Sequence, residues 1–315
     1  MQKDDEYRVD VVVPFADRLQ NLEHLETWLS TESLPKNFRV IFVHDVKNHD
    51  NATEEVINLL SKLDADSFIY IKGKYGSPGA ARNAGLENVT AEWVCFWDSD
   101  DSPLPREFLK MIENGIRSQS QVCVGKFEIR QHQSELEKNP SRGNSRVSVA
   151  MTPGFWRMAF TRQSIGDVHF SNCRMGEDQL FLMAINFANL RWYRHDAVVY
   201  RYTVGVDSQL TNAEANYTDL LETFDNSIQF CDSKTRFRVA YIYSIMQIRM
   251  AVTICLKFPF GKSRKTLFKY FGRSSKHPKN LVFATIPACI TVAFSYILTM
   301  IHLAKLKLRG RSDQL

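Results

Sequence analysis

The sequence predicts an α/β fold with a mostly parallel sheet, followed by a C-terminal helical region. Over residues 9–129, short apolar runs alternate with stretches of helical periodicity, which is typical of strands covered by helices on both faces. Val11–Val13 is one of several continuous apolar runs expected of strands that are buried on both faces. The apolar residue content of 44% is enough for a sizeable buried core.

The elements follow in order along the first half of the chain. Five strands are predicted at Val9–Val13, Val40–Val43, Phe68–Ile71, Trp93–Trp97 and Val122–Ile129. Helices are predicted at Leu19–Leu29, Glu54–Leu63, after Gly79, at Pro105–Ile116 and at Leu180–Phe187. Gln131–Ser148 is polar and without apolar periodicity, so it predicts a long loop, either a plain surface insertion or a segment that closes over a site.

An acidic cluster, Asp98–Asp101, directly follows the fourth predicted strand. Carboxylates this close repel one another, and a divalent cation removes that cost while binding a diphosphate. The alternative is a solvated acidic turn, with Pro103 and Pro105 as turn residues. In parallel sheets, ligands bind outside the carboxyl ends of the strands, so Asp45, Arg82 and the acidic cluster are expected to meet there.

Two helix starts could serve chemistry or packing. Gly76–Gly85 is rich in small residues, which suits an anion at the helix start, with Arg82 as donor, or close packing of helix on sheet. Gly176-Glu177-Asp178 precedes an apolar helix. Acids there complement the helix dipole, and one of them could instead act as a general base.

Charge divides the chain into two predicted domains, residues 1–233 and 234–315. The first holds 24 Lys+Arg and 34 Asp+Glu, a net charge of −10, and the second holds 16 and 1, a net charge of +15. A basic region of this kind favours binding to an anionic surface, either nucleic acid or membrane. Eight Lys or Arg and no acid lie within residues 257–279, interleaved with aromatics, which favours anionic membrane lipid and not nucleic acid.

Leu281–Ala304 contains no Lys, Arg, Asp or Glu over 24 residues, enough to cross a bilayer as a helix. A single span is the first expectation, and a hairpin kinked near Pro287 is the alternative, because both flanks are basic. Val239–Leu256 is predicted as an amphipathic helix. No secretory signal is expected at Met1–Phe15, so we expect the protein at the cytoplasmic face of the inner or plasma membrane. The six cysteines lack metal-site spacing, and we expect them to be reduced thiols, as is usual in that compartment.

Six short motifs occur in order within residues 8–212. They are Val11–Phe15, Val43-His44-Asp45, Gly79–Gly85, Phe96–Asp101, Gly176-Glu177-Asp178, and Tyr200–Tyr202 with Ser208–Thr211. Together they resemble family 2 glycosyltransferases with the A-type, nucleotide-sugar-binding fold and its Rossmann-like sheet, in particular bacterial surface-polysaccharide enzymes. Two departures stand out: His44 replaces an acid of the second motif, and no histidine precedes the last serine.

The resemblance implies an inverting sugar transfer from a nucleotide-diphosphate sugar, with a UDP-sugar as the first expectation, to a lipid-linked or oligosaccharide acceptor. It assigns the general base to Asp178, acceptor binding to Glu177 and Trp156, and Mg²⁺ or Mn²⁺ to Asp98, Asp100 and Asp101. The resemblance assigns nucleotide binding to Pro14, Asp45, Gly79, Arg82, Asn83, Asp98 and Ser99. From the residues alone, Trp156 could equally be a core aromatic.

Two other functions remain open from the sequence. A nucleotidyltransferase on a similar fold would show a glycine-rich loop after the first strand, but Phe15–Leu19 has no glycine. A membrane-bound sugar-binding or scaffold protein could keep the fold without turnover. Loss of nucleoside diphosphate release on changing the acidic residues separates an enzyme from such a scaffold.

Overall fold

The computed structural model describes residues 9–16, 34–46, 58, 60–61, 67–131, 143–204, 217–231, 236–257, 265, 268, 272 and 284–297. The chain divides into two compact units. Unit 1 comprises Met1–Val149 and Pro153–Asp219, and unit 2 comprises Ala150–Thr152 and Leu220–Leu315. The predicted division at residue 233 stays a prediction.

Unit 1 contains a sheet in which eight strands are described. They are β1 Val9–Ala16, β2 Phe38–Asp45, β3 Phe68–Gly73, β4 Trp93–Phe96, β5 Ser102–Pro103, β6 Val122–Gln131, β7 Met158–Thr161 and β8 Trp192–Val204. Their order across the sheet is β3-β2-β1-β4-β7-β6-β8-β5.

The sheet confirms the predicted α/β class, but it is mixed and not parallel throughout. Strands β3, β2, β1 and β4 pair in parallel, as does β6 with β8. Strand β7 lies between β4 and β6 and runs antiparallel to both, and β5 runs antiparallel to β8. The sequence did not predict β7, because three apolar residues and a threonine without turn signals do not distinguish a strand from a buried loop.

Of the five helices described in unit 1, the first, second and fifth match the prediction, whereas the third begins inside the predicted loop and the fourth was not predicted. They are α1 Pro78–Leu86, α2 Pro105–Arg117, α3 Arg146–Met151, α4 Arg162–Ile165 and α5 Glu177–Ala184. The helix predicted at Leu19–Leu29 and most of that at Glu54–Leu63 lie outside the described residues. Residues 132–142 of the predicted loop also lie outside the described residues. On either side of them, β6 reaches Gln131 and α3 begins at Arg146.

Close packing of α1 on the parallel half of the sheet positions the site. A Cβ at Gly85 would overlap the side chain of Val12 and lie 3.2 Å from that of Val43. Glycine there lets α1 approach β1 and β2 closely. Arg82, one turn earlier, is thereby held beside the carboxyl ends of the strands, where Asp45 and the acidic cluster lie.

Unit 2 is helical in its described part. Its helices are α6 Tyr217–Ile228, which begins in unit 1, α7 Phe237–Lys257, and α8 Ile286–Ile297. In the described residues, Phe237–Leu256 is the helix long and apolar enough to cross a membrane by length and composition, and 61% of it is buried. Of the segment predicted to span, only residues 284–297 are described.

Candidate active site

The acidic cluster begins where β4 leaves the sheet. The N–H of Trp97 donates to the carbonyl oxygen of Val12 at 3.1 Å, which extends the parallel pairing by one residue. The N–H of Asp98 then donates to the Tyr200 hydroxyl at 3.0 Å. The chain turns at this point, since the N–H of Asp101 donates to the carbonyl oxygen of Asp98 at 3.4 Å.

The carboxylates of the acidic cluster differ in their surroundings. Asp101 is buried, and its Oδ1 accepts from the N–H of Thr203 at 2.6 Å. Burial, and then the neighbouring carboxylates of Asp100 and Asp98, raise the pKa of Asp101 well above its usual range. The side chain of Asp98 is 23% exposed. The cluster therefore carries the electrostatic cost that the sequence predicted.

Arg82 joins the acidic cluster to the start of α5. Its Nη2 donates to Asp98 Oδ1 at 2.7 Å and its Nη1 to Glu177 Oε1 at 3.0 Å, while the arginine side chain is only 5% exposed. The guanidinium carbon lies 4.8 Å from the ring centroid of Phe155. Burial alone would lower the pKa of Arg82, but the two carboxylates outweigh it and the pKa is raised.

A glycine forms the start of α5, directly before Glu177 and Asp178. Gly176 has a φ of 85°, a left-handed conformation that favours glycine. Burial raises the pKa of Glu177 to about 7, against the opposing effect of Arg82 and with the support of Asp178. Asp178 is partly exposed, and its Oδ1 accepts from the N–H of Gln179 at 2.7 Å.

Tyr202 feels the charge of both the acidic cluster and Asp178. Its pKa is raised by burial and then by four carboxylates, those of Asp101, Asp98, Asp100 and Asp178. The ion pairs of Arg82 with Asp98 and Glu177 are the contacts that link the acidic cluster to the start of α5. The roles of Asp178 as base and of the acidic cluster as cation ligands stay predictions.

Asp45 holds the loop that leads into α1. Its Oδ1 accepts from the N–H groups of Tyr75 at 2.7 Å and Gly76 at 3.1 Å. Gly76 has a φ of 75°, which favours glycine, and Ser77 caps the helix by accepting from the N–H of Ala80. The nucleotide contact predicted for Asp45 stays a prediction, and what the structure adds is this support of the loop.

Two residues predicted to bind the nucleotide make packing contacts in this structure. A Cβ at Gly79 would overlap the backbone oxygen of Ser171. Asn83 both donates to the carbonyl oxygen of Phe170 at 2.9 Å and accepts from its N–H at 2.7 Å. These contacts support the packing interpretation. The nucleotide role of Gly79 and Asn83, and those of partly exposed Pro14 and buried Ser99, stay predictions.

His44, the departure from the family motif, is fully buried. Its Nδ1 lies 2.8 Å from the Tyr70 hydroxyl, and its ring stacks on Phe15 with centroids 4.7 Å apart and planes 13° apart. The position that usually carries an acid is thus occupied by an aromatic contact between β1, β2 and β3.

Trp156 packs as a core aromatic. It is 8% exposed, and its ring is stacked at 4.5 Å from that of Tyr200 and at 5.3 Å from that of Tyr202, with Phe127 edge-on at 4.8 Å. These contacts match the alternative weighed for Trp156, and acceptor binding stays a prediction. The tyrosines are site residues that sequence reasoning missed, although their motif was visible.

The chemistry of the acidic cluster suits Mg²⁺ or Mn²⁺. Within the described residues, no group of three His, Cys, Asp or Glu side chains converges on a common metal position. The cluster nevertheless offers carboxylate oxygens, the hard ligands that these cations prefer. Burial, and then the carboxylates of Asp100 and Asp98, raise the pKa of Asp101, and a cation would relieve the repulsion among these carboxylates.

Residues 10–176 match the profile of the family described as Glycosyl transferase family 2. Poly(ribitol-phosphate) beta-N-acetylglucosaminyltransferase TarP of Staphylococcus aureus is 26% identical over 124 residues, which are 39% of this chain and 37% of TarP. Succinoglycan biosynthesis protein ExoO of Rhizobium meliloti is 28% identical over 88 residues, which are 28% of this chain and 24% of ExoO. The chain thus matches well under half of the length of either relative.

Two solved structures share the fold. Residues 1–349 of TarS from S. aureus, in complex with UDP-GlcNAc, superpose with a TM-score of 0.65 at 18% identity, over 84% of this chain and 81% of that one. The mannosyltransferase PcManGT from Pyrobaculum calidifontis, in complex with GDP-Man and Mn²⁺, superposes with a TM-score of 0.54 at 14% identity, over 93% and 87%. At these identities the likeness establishes the fold.

Proposed function

The chain belongs to glycosyl transferase family 2, and we propose that it transfers a sugar from a nucleoside-diphosphate donor to an acceptor hydroxyl with inversion at the anomeric carbon. The observation that carries the proposal is the bridge made by Arg82 between Asp98 and Glu177. It joins the acidic cluster to the residue next to Asp178, so one bound donor can reach both.

The reaction needs a base on one side of the sugar and a stabilised leaving group on the other. Asp178 takes the proton of the acceptor hydroxyl as its oxygen forms the new bond to the anomeric carbon. The bond from that carbon to the diphosphate oxygen breaks, and the nucleoside diphosphate leaves with the electron pair. Attack from the face opposite the leaving group inverts the anomeric configuration.

The surrounding residues favour this division of roles. Asp178 is partly exposed, as a base that meets an acceptor must be, whereas Glu177 is ion-paired with Arg82. Arg82 presents positive charge at the strand ends and could exchange a carboxylate partner for a diphosphate oxygen. Mg²⁺ or Mn²⁺, held by Asp98, Asp100 and Asp101, would neutralise charge on the diphosphate.

Substrate class is proposed from the relatives and the tail. TarS was solved with UDP-GlcNAc and PcManGT with GDP-Man and Mn²⁺, and a UDP-sugar is the donor we propose here. By their names, TarP transfers N-acetylglucosamine to poly(ribitol-phosphate) and ExoO takes part in succinoglycan biosynthesis. With the basic tail, this supports a lipid-linked glycan acceptor in polysaccharide assembly at the cytoplasmic face of the membrane.

The experiment is nucleoside diphosphate release from a panel of sugar nucleotides with Mn²⁺, together with NMR of the product anomer. Asp178→Asn should lower kcat by about 100-fold or more, since general base catalysis contributes that much. Asp196→Asn is the matched control, because its side chain is 90% exposed and only weakly paired with Lys126. Equal turnover by the Asp178→Asn variant, or a product that retains its configuration, would refute the proposal.

A further inference from the structure

Helix α8 has one buried and one exposed apolar face. Ala284, in the turn preceding α8, Ala288 and Val292 are 0%, 0% and 2% exposed. Four large apolar side chains, spaced four, four and three residues apart, form a second stripe. We call them the α8 stripe: Ile286, Ile290, Phe294 and Ile297, exposed by 49%, 64%, 60% and 55%. Such a continuous patch marks a surface that meets an apolar partner.

The buried face of α8 is tied to the other helices of unit 2. The hydroxyls of Tyr241 on α7 and Thr291 on α8 lie 2.7 Å apart. On α7, the buried Gln247 donates to the Ser227 hydroxyl of α6 at 3.3 Å. The three helices are therefore linked, and α7 is a core helix of this unit, which accounts for its 61% burial.

Unit 2 also exposes charge, which places it in water. Glu222 and Asp225 are exposed on α6, the helix that packs on α7 through Ser227 and Gln247. Carboxylates on a lipid-facing helix are costly, so the exposed face of α6 does not meet acyl chains. Since α8 is hydrogen-bonded to α7, and α7 to α6, an α8 that crossed the bilayer would bring the charged helix α6 toward the hydrocarbon.

Charge around α8 selects the partner. Residues 257–279 precede it with eight Lys or Arg and no acid, and Lys305, Lys307, Arg309 and Arg311 follow it. Phe268, within the basic segment, is 63% exposed. Basic residues that flank an apolar helical face fit a bilayer surface with anionic headgroups. Both basic flanks can stay on one side of the bilayer only if the helix does not cross it.

We propose that α8 lies in the plane of an anionic membrane surface, with the α8 stripe inserted among the acyl chains, and does not span the bilayer. This replaces the single span that the sequence favoured first. It accounts for the one-sided exposure of α8, its hydrogen bond to a water-facing helical unit and the basic residues on both sides. The inference does not depend on the chemistry proposed for unit 1.

The first test is flotation of the full chain with vesicles of phosphatidylcholine alone or with phosphatidylserine. Ile290→Glu with Phe294→Glu should weaken binding to the anionic vesicles by about tenfold or more, because the apolar area and the attraction are both lost. Asn226→Glu with Gln229→Glu adds the same two charges at exposed positions and should retain binding. Unchanged binding by the α8 variant would overturn the proposal.

The second test separates lying on the membrane from crossing it. Alkaline carbonate should release the wild-type protein from membranes, whereas a crossing helix stays in the pellet and would contradict the proposal. In a Phe294→Trp variant, brominated lipids should quench that tryptophan most strongly when the bromines lie near the headgroups. Strongest quenching from the bilayer centre would indicate a span.

Two controls keep the outcome interpretable. Thermal unfolding of each variant, followed by circular dichroism, shows whether it is folded. Sedimentation without lipid tests a second copy of the chain as the partner of the α8 stripe, and self-association without vesicle binding would overturn the proposal. Nucleoside diphosphate release should be unchanged in the α8 variant, so failure here and failure of the proposed function are distinguishable.

Discussion

The two ends of the site are stabilised by different forces. Where β4 ends, Asp98 and Glu177 both pair with one buried guanidinium, that of Arg82, and the buried Asp101 lies in the same acidic cluster. Where β2 ends, the carboxylate of Asp45 accepts hydrogen bonds from two backbone N–H groups. His44, the residue before it, packs between aromatic rings. The β4 end thus depends on a balance of charges that a ligand can disturb. At the β2 end, hydrogen bonds and ring contacts within the fold already satisfy the polar groups.

The largest effect is expected from removing the shared cation of the β4 end. Arg82→Met leaves two partly or fully buried carboxylates without their partner, which should cost about 3–5 kcal/mol of unfolding free energy. Asp45→Asn, at the β2 end, keeps an acceptor for the backbone N–H groups and should cost about 1 kcal/mol. Urea unfolding measures both. Equal losses would show that the two ends do not differ as described.

Packing of α1 should have a smaller effect, independent of charge. Gly79→Ala forces a methyl group onto the backbone oxygen of Ser171, and overpacking of this kind costs about 1–3 kcal/mol. Gly143→Ala is the control, because its Cβ would lie at an ordinary 3.7 Å from Ser148. If both variants unfold at the wild-type urea concentration, the close contact beneath α1 is not required.

The sequence predicted the parts of the site that lie in one continuous segment. Asp98–Asp101 follow an apolar strand, and Gly176–Asp178 open an apolar helix, so both stand out locally. The bridge from Arg82 to Glu177 spans 95 residues, and no local pattern encodes such a partner. The resemblance identified both motifs, but only the folded chain shows them joined by one side chain.

The fold was predictable to the same extent. Strands β1 to β4 are long apolar runs separated by helical periodicity, which the sequence shows directly. Strands β7 and β8 were missed, because their pairing is set by contacts with distant strands and not by local preference. The packing of Trp156 against Tyr200 and Tyr202 follows from that pairing.

Titration of the β4 end gives a third prediction. The pKa of Glu177 is about 7 in the folded protein and ~4.3 in an unfolded chain, so the native state binds the extra proton between these values. Its contribution to stability is fully present below the lower value and is lost as the pH rises through the upper one. Between pH 5 and 8, wild type should lose about 2 kcal/mol more than Glu177→Gln.

Urea midpoints at the two pH values, without divalent cation, make the measurement. Asp101 titrates in both proteins, so it cancels from the difference. Parallel pH profiles for wild type and Glu177→Gln would mean that burial of Glu177 does not control its proton. A steeper loss toward acid in wild type would reverse the sign and contradict the burial of this carboxyl.

The smallest effect is expected at the β2 end, where Tyr70→Phe removes the 2.8 Å hydrogen bond to His44. The loss should be about 1 kcal/mol of unfolding free energy, the usual net value of such a bond. Tyr193→Phe is the control, because its hydroxyl makes no hydrogen bond to the described residues. If the β2 end only positions the nucleotide, Tyr70→Phe should raise KM for the donor and leave kcat unchanged. A lower kcat with unchanged KM would instead connect the β2 end to the chemical step, and the contrast between a reactive β4 end and a supporting β2 end would fail.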